Sequence, residues 1–122
     1  MDYFISCEAD ACREIVLAKS GVAAMEPETM ISLFKKAVAS NPNDPALESM
    51  HGKVWTWKQY HDDIITLANG LVALGYKPFE TGSIIGFNSP EWVIANMACI
   101  FAGGKSALQY SNIRVHVLLP VA

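Results

Sequence analysis

The sequence has few charged residues and few cysteines, and both shortages exclude classes of protein. Charged residues make up only 17% of its 122 positions, the net charge is −3, and the nine basic residues form no cluster. Nucleic-acid binding needs concentrated lysine and arginine, so we expect no nucleic-acid partner. The three cysteines, Cys7, Cys12 and Cys99, have no C-x-x-C spacing. They therefore predict neither a disulfide framework nor a zinc site.

Long hydrophobic runs and a secretory signal are also missing. The most apolar stretch, 92–102, is too short to span a bilayer and contains Asn96. Residues 1–5 show no basic segment followed by an apolar one, which a secretory signal would need. We therefore expect a cytoplasmic protein without a transmembrane segment, and peripheral contact with intracellular membranes stays open.

The residues that are present predict an α/β fold. Apolar residues make up 52% of the chain, enough for a packed core. A first helix is predicted from Pro27 to Asn41-Pro42, and a small hairpin with its turn at 51–53 follows. A short strand is also predicted at 14–18. The apolar positions at helical spacing in the first helix are Met30, Ile31, Phe34, Ala37 and Val38.

A second helix has clear signals at both ends. Thr56 and Gln59 stand in the T-x-x-Q relation of a capping box, which satisfies two backbone N–H groups at the start of a helix. Gly75 is the type of residue that ends a helix in a left-handed conformation. The predicted buried stripe is Tyr60, Ile64, Leu67, Ala68, Leu71 and Leu74.

The second half of the chain predicts a strand–helix–strand crossover. Residues 83–87 are short, apolar and rich in β-branched side chains, as in a buried parallel strand. Ser89 is the predicted N-cap of the next helix, with Pro90 at its first position, and Gly103-Gly104 end it. The alternating segment 113–119 is the predicted closing strand.

One motif imitates a phosphate-binding loop. Gly103-Gly104-Lys105-Ser106 ends like a P-loop, but the required earlier glycine is replaced by Cys99. A P-loop also joins a strand to a following helix, so that the amides at the helix start face the phosphate. Here the glycines follow a predicted helix, which favours helix termination.

No other side chain has a catalytic pattern around it. Asp62 and Asp63 are adjacent, so on a helix they diverge and cannot form an acid–base pair. Ser89 lacks the G-x-S-x-G context of a nucleophile and suits a cap. We therefore assign no catalytic, cofactor-binding or metal-binding residue. Nothing in the sequence orients the histidines His51, His61 and His116 for catalysis. The aromatics Phe87, Trp92 and Phe101 are candidates for lining an acyl pocket, although aromatics at such spacing usually belong to the core.

Several phrases resemble a known family in their order and spacing. They are Thr56-Trp57-Lys58-Gln59-Tyr60, Ala68-Asn69-Gly70-Leu71, Leu74-Gly75, Ile84-Ile85-Gly86-Phe87-Asn88-Ser89-Pro90-Glu91-Trp92 and Phe101-Ala102-Gly103-Gly104. Over 14–107 the chain resembles AMP-forming long-chain acyl-CoA synthetases of the adenylate-forming superfamily, most closely the bubblegum branch. The resemblance implies an incomplete N-terminal subdomain of the adenylate-forming (AMP-binding) enzyme fold.

The resemblance also implies a reaction. In the full-length family a fatty-acid carboxylate attacks the α-phosphorus of ATP, giving an acyl-adenylate and pyrophosphate, and the CoA thiol then displaces AMP. ATP, Mg²⁺ and CoA serve the full-length enzymes, whose catalytic motifs lie downstream of the region matched here. We therefore expect a truncated ligase fragment that is inactive alone and has no cofactor of its own. The alternative is a non-catalytic module that binds an acyl chain or a full-length synthetase and regulates it.

Residues 108–122 depart from the family pattern. We divide the chain into an N-terminal extension at 1–13, a partial AMP-binding enzyme domain at 14–107 and a divergent tail at 108–122. A frame break, an alternative exon or a gene-model error at 106–108 explains the tail, and a genuine short protein is the alternative. An incomplete sheet and an open apolar face on 92–101 predict self-association.

Overall fold

A computed structural model describes residues 18–21 and 24–109, and the backbone of 116–118. The predicted α/β class is confirmed. The extension at 1–13 and nearly all of the strand predicted at 14–18 lie outside the described residues, and the division into 14–107 and 108–122 stays a prediction. The elements are α1 (Met30–Ser40), β1 (Pro45–Glu48), β2 (Val54–Thr56), α2 (Trp57–Ala73), β3 (Thr81–Ile85), α3 (Pro90–Phe101), β4 (Lys105–Gln109) and β5 (His116–Leu118).

Helix α1 begins later than its sequence suggested. The cap is Thr29, whose hydroxyl oxygen accepts the backbone N–H of Ser32 at 3.1 Å. This bond satisfies one of the free amides of the first turn, so the helix starts at Met30 and Pro27 lies before it. The predicted end is confirmed, because Asn41 is the C-cap and its N–H bonds the carbonyl of Ala37.

The hairpin and the start of α2 match the prediction. Strands β1 and β2 pair antiparallel, and Gly52 in their turn has a φ of 79°. The capping box is present in both directions. The Thr56 hydroxyl accepts from the Gln59 amide at 3.2 Å, and the Gln59 side chain accepts from the Thr56 amide at 3.0 Å. The entrance of α2 is thus determined by local chemistry.

The end of α2 differs from the prediction at one position. The helical spacing predicts Leu74 in the buried stripe, but Leu74 is 76% exposed. It is the C-cap, where its amide bonds the carbonyl of Gly70, so it extends beyond the surface that α2 buries. Gly75 follows with a φ of 98°, the left-handed conformation predicted for it.

The larger sheet has the strand order β4-β3-β5. Strand β3 pairs parallel with β4 and antiparallel with β5. The predicted crossover therefore exists, but its second strand is β4, which the sequence analysis missed. Polar residues at Lys105, Ser106 and Gln109 hide the strand pattern there. The strand predicted at 113–119 is observed at 116–118, on the opposite side of β3.

Strand β3 lies two residues earlier than predicted. It covers Thr81–Ile85 rather than 83–87. Ile84 is completely buried, whereas Phe87 is 59% exposed. The chain must leave the sheet after Ile85 because Ser89 already caps α3, accepting the Trp92 amide at 3.2 Å.

Helix α3 contributes more buried residues than any other described element. Two buried clusters meet on it, one toward β3 and one toward α1 and α2. The open apolar face predicted at 92–101 is therefore wrong, because α2 and the sheet cover it. No helix within the described ranges is long and apolar enough to cross a membrane. The buried residues that α3 contributes are Pro90, Ile94, Ala95, Met97, Ala98 and Cys99.

Tyr76 joins three segments at the end of the sheet. Its hydroxyl lies 2.7 Å from the Lys105 carbonyl and 2.9 Å from the Glu80 carbonyl, and it accepts the Gly82 amide at 3.1 Å. The single hydroxyl proton serves one carbonyl at a time. Gly104 lies directly against the ring, where an added Cβ would be 2.5 Å from two ring carbons. Only glycine fits this position without displacing Tyr76.

We predict that Gly104→Ala lowers the free energy of unfolding by about 2 kcal/mol or more, because overpacking moves the Tyr76 ring and its hydrogen bonds. Gly70→Ala is the matched control, since Gly70 lies within α2 and has open space around it. That substitution should instead stabilise by about 0.5–1 kcal/mol. Urea unfolding of both variants measures the difference, and equal effects would contradict the packing argument.

Candidate functional site

The Gly103–Ser106 segment resembles a P-loop in sequence, but its hydrogen-bond donors bond acceptors of the protein itself. The amides of Gly103, Gly104 and Lys105 are all bonded to carbonyl oxygens. The hydroxyl of Ser106 donates to the side-chain oxygen of Asn96. The segment runs from the end of α3 into β4, which begins at Lys105, so it does not lead into a helix as a P-loop does. The prediction that Gly103-Gly104 end the helix is confirmed, and the amides of residues 103–105 already bond carbonyl oxygens of the protein. The three acceptors are the carbonyls of Ile100 at 3.0 Å, Cys99 at 3.0 Å and Glu80 at 2.8 Å.

The two adjacent aspartates bind different partners. Asp62 accepts from the Lys58 ammonium at 2.7 Å, one helical turn earlier. The hydrogen bond from Lys58 lowers the pKa of Asp62. Asp63 instead accepts the indole N–H of Trp55 at 3.0 Å. The two carboxylates therefore diverge, as predicted, and do not form an acid–base pair.

The remaining single candidates have structural surroundings. His61 lies against the rings of Phe34 and Phe101, with centroid distances of 6.2 and 6.1 Å. His51 is exposed in the hairpin turn, and the side chain of His116 is outside the described part. Ser89 is the predicted helix cap, so its hydroxyl is occupied by a backbone amide.

The aromatic residues considered for an acyl pocket do not gather in one place. Trp92 packs against the sheet-side cluster, while Phe101 contacts both clusters. Phe87 is 59% exposed. Cys99 is completely buried, and burial raises the pKa of its thiol. Cys7 and Cys12 lie outside the described residues. The thiol of Cys99, the cysteine among the described residues, is therefore not reached by solvent.

A cleft of about 470 Å³ lies between the hairpin and the start of α3. Glu48, His51 and Glu91 are on its walls, and they are the titratable groups there. Among the residues that the structure describes, however, no group of three or more His, Cys, Asp or Glu is placed to hold a metal ion.

A second cavity of about 470 Å³, here termed the three-helix groove, is apolar. It lies where α1, the start of α2 and the middle of α3 meet. None of its lining side chains carries a charge, and Asn96 is the one amide among them. The groove is lined by Met30, Leu33, Phe34, Ala37, Trp57, Tyr60, Val93, Asn96 and Met97.

Aromatic packing forms the floor of the groove. Phe34 meets Tyr60 edge to face, with ring centroids 5.0 Å apart, and Trp57 in the same manner at 5.7 Å. Such pairs contribute beyond their buried area. Tyr60 is 5% exposed, and this burial raises its pKa to about 12. The rim is open, since Met30 and Leu33 are 59% and 55% exposed. The groove thus has a rigid floor and an uncovered apolar edge.

Sequence reasoning missed the groove because its residues come from three separate helices. One signal was nevertheless present in α1. Met30, Leu33 and Ala37 follow each other at intervals of three and four, which places them on one side of a helix. Phe34 and Val38 form a neighbouring apolar stripe. Two stripes on one short helix indicate two packing surfaces rather than one.

Comparison with known proteins identifies the family. The sequence model of the family described as "AMP-binding enzyme" matches residues 34–116, more than half of the chain. The chain belongs to the AMP-binding enzyme family. The expected resemblance to long-chain fatty acid–CoA ligases is also confirmed, because the chain is similar to curated proteins with that name.

Two such relatives illustrate the similarity. The chain is 35% identical over 110 residues to long-chain-fatty-acid–CoA ligase ACSBG2 of Xenopus laevis, covering 88% of this chain and 15% of the relative. It is 41% identical over 91 residues to the same-named ligase of Rattus norvegicus, covering 72% and 14%. The chain therefore spans about one seventh of the length of the curated relatives it matches.

A solved structure shows the same fold. The N-terminal subdomain of Klebsiella oxytoca NpsA superimposes with a TM-score of 0.65 at 20% identity, covering 69% of this chain and 22% of that chain. At this identity the likeness concerns the fold alone. It confirms the predicted likeness to an N-terminal subdomain of adenylate-forming enzymes.

Burial of Tyr60 makes the free energy of unfolding fall as the pH rises into the alkaline range. Its pKa is about 12 in the folded chain and about 10 when unfolded, so the unfolded chain loses this proton first as the pH rises. The contribution is complete below pH 10 and is lost between pH 10 and 12, at a cost on the order of 2 kcal/mol. We predict that Tyr60→Phe loses less free energy of unfolding over this range.

Denaturant unfolding at several pH values, with wild type and variant side by side, measures this difference. Other groups that titrate in the same range, including Tyr76 and Cys99, are present in both proteins and cancel in the comparison. Parallel pH profiles for the two proteins would show that the Tyr60 hydroxyl reaches solvent.

Proposed function

We propose that this chain is a structural part of a long-chain fatty acid–CoA ligase and does not itself activate fatty acids. In this proposal it supplies a packed α/β unit of the N-terminal subdomain. The groups that stabilise the reacting phosphates belong to other parts of the ligase. The similarity over 34–116 and the names of the relatives support the class of enzyme.

The observation that carries the inactive part of the proposal is the hydrogen bonding of the Gly103–Ser106 loop. Formation of an acyl-adenylate puts negative charge on the α-phosphate and releases pyrophosphate. Positioned donors and cations must stabilise that charge, and they must be free to face it. The amides of residues 103–105 instead bond carbonyls in the last turn of α3 and at Glu80, just before β3. The motif that most resembles a nucleotide-binding loop therefore stabilises the fold through its backbone amides.

Location and partners form part of the same proposal. A ligase part of this kind would work in the cytoplasm, with peripheral contact to intracellular membranes where long-chain fatty acids reside. Its partners would be fatty acid or a full-length synthetase. The alternative of a regulatory module that binds an acyl chain or a synthetase would use the same partners without forming a product.

We predict that the purified chain shows no fatty-acid-dependent exchange of pyrophosphate into ATP. Because the amides of residues 103–105 are occupied within the fold, the rate should lie at least about 10³-fold below that of the rat ligase under the same conditions. Circular dichroism of the same sample checks that the chain is folded.

Two results would contradict the proposal in different ways. Exchange that disappears in Lys105→Ala would make the loop a nucleotide site after all. Exchange that Lys105→Ala leaves unchanged would locate an active centre elsewhere in the chain. Stable co-purification with a full-length relative, without exchange, would instead favour the regulatory module.

A further inference from the structure

Helix α1 has two apolar sides. Phe34 and Val38 belong to the cluster that packs on Tyr60 and Ile64 of α2. Met30, Leu33 and Ala37 lie on the neighbouring side and line the three-helix groove. A helix that is apolar on one stripe needs one neighbour, and one with two apolar stripes needs two.

The neighbours of α1 among the described residues cover only part of it. Helices α2 and α3 both pack on Phe34, whose ring meets Tyr60 and Phe101 edge to face. Across the groove, Val93 and Met97 of α3 form the far wall but leave the space between open. Met30 and Leu33 are more than half exposed as a result. Adjacent exposed apolar residues along a groove are typical of a surface that another body covers.

The exposure of the rim residues indicates what kind of molecule covers the three-helix groove. The groove has the volume of a small-molecule site, but such sites bury roughly 70–90% of the ligand surface. With the α1 rim more than half exposed, an acyl chain lying here would keep one side in water. A polypeptide segment would cover both the groove and its rim. Because none of the lining residues is charged, the covering segment should be apolar.

We propose that the three-helix groove is the surface on which the remainder of a long-chain fatty acid–CoA ligase packs, with an apolar segment covering Met30 and Leu33. This inference rests on the proposed function. The matched region is 15% of the Xenopus relative and 14% of the rat relative, so most of such a ligase lies outside it. The occupant is therefore a polypeptide that every full-length ligase of this type already contains.

The test places one substitution in two contexts. In the first, Leu33→Lys is made in the 122-residue chain. In the second, the same change is made in a chimera, the rat ligase whose matched segment is replaced by the corresponding residues of this chain. Val72→Lys is the matched control, because Val72 is 54% exposed on α2 and does not line the groove.

Leu33→Lys should leave the unfolding midpoint of the isolated chain unchanged, since Leu33 is half exposed there. In the chimera it should lower the rate of acyl-CoA formation at least about tenfold and lower the melting temperature, because a lysine would be buried without a partner. Val72→Lys should leave the unfolding midpoint of the isolated chain and the melting temperature of the chimera unchanged, and should change the rate of the chimera less than about twofold, as is usual for surface substitutions.

Each departure from this pattern overturns the proposal. An unchanged chimera would mean that the ligase does not cover the groove, and damage in both contexts would mean that it is covered within the chain. A chimera that fails to fold before any groove substitution would show that the surfaces do not match. Saturable palmitate binding that Leu33→Lys abolishes would make a fatty acid the occupant of the groove. A dimer of the isolated chain that Leu33→Lys abolishes would make a second copy of the chain the occupant.

Failure of this proposal is distinct from failure of the proposed function. Pyrophosphate exchange by the isolated chain tests activity without reference to the groove. If the isolated chain shows no exchange and Leu33→Lys leaves the chimera unaffected, the proposed function stands and only the docking surface is wrong.

Discussion

Helix α3 is buried on two opposite sides, and the positions of the other elements depend on that packing. Ala98 and Cys99, both fully buried, face the sheet cluster with Ile84, while Ile94 and Met97 join the cluster of α1 and α2. Small side chains on the sheet side allow close approach, which dense packing requires. The helix starts and ends at local signals: Ser89 caps its first turn, and Gly103 follows its last turn with a positive φ.

This constraint also decides what the chain is able to do. The amides after α3 close the helix and join it to the strand, so they are not free to bind phosphate. The Ser106 hydroxyl is held by Asn96 in the same way. Residues that resemble a nucleotide motif thus serve packing, and the surface left for function is an apolar groove. A role as a ligase part agrees with both observations.

The sequence predicted the local structure correctly where interactions among a few neighbouring residues determine it. The capping box of Thr56, the cap at Ser89 and the hairpin turn depend on hydrogen bonds and backbone angles within three or four positions. The errors lie where distant contacts decide. Strand β4 was missed because its polar residues pair with β3 across a crossover, and Leu74 was misplaced because only tertiary contacts show where the core stops.

The sequence by itself determined the fold class, the family likeness and most helix ends, because these depend on composition and on short-range spacing. Only the tertiary structure decided which apolar faces are covered. Periodicity predicted a buried side for both α1 and α3, but the open face expected on α3 from an incomplete sheet is covered, and the exposed apolar edge lies on α1. The reason is physical: the spacing of apolar residues shows that a helix face avoids water, whereas the neighbour that covers that face comes from residues far away in the chain.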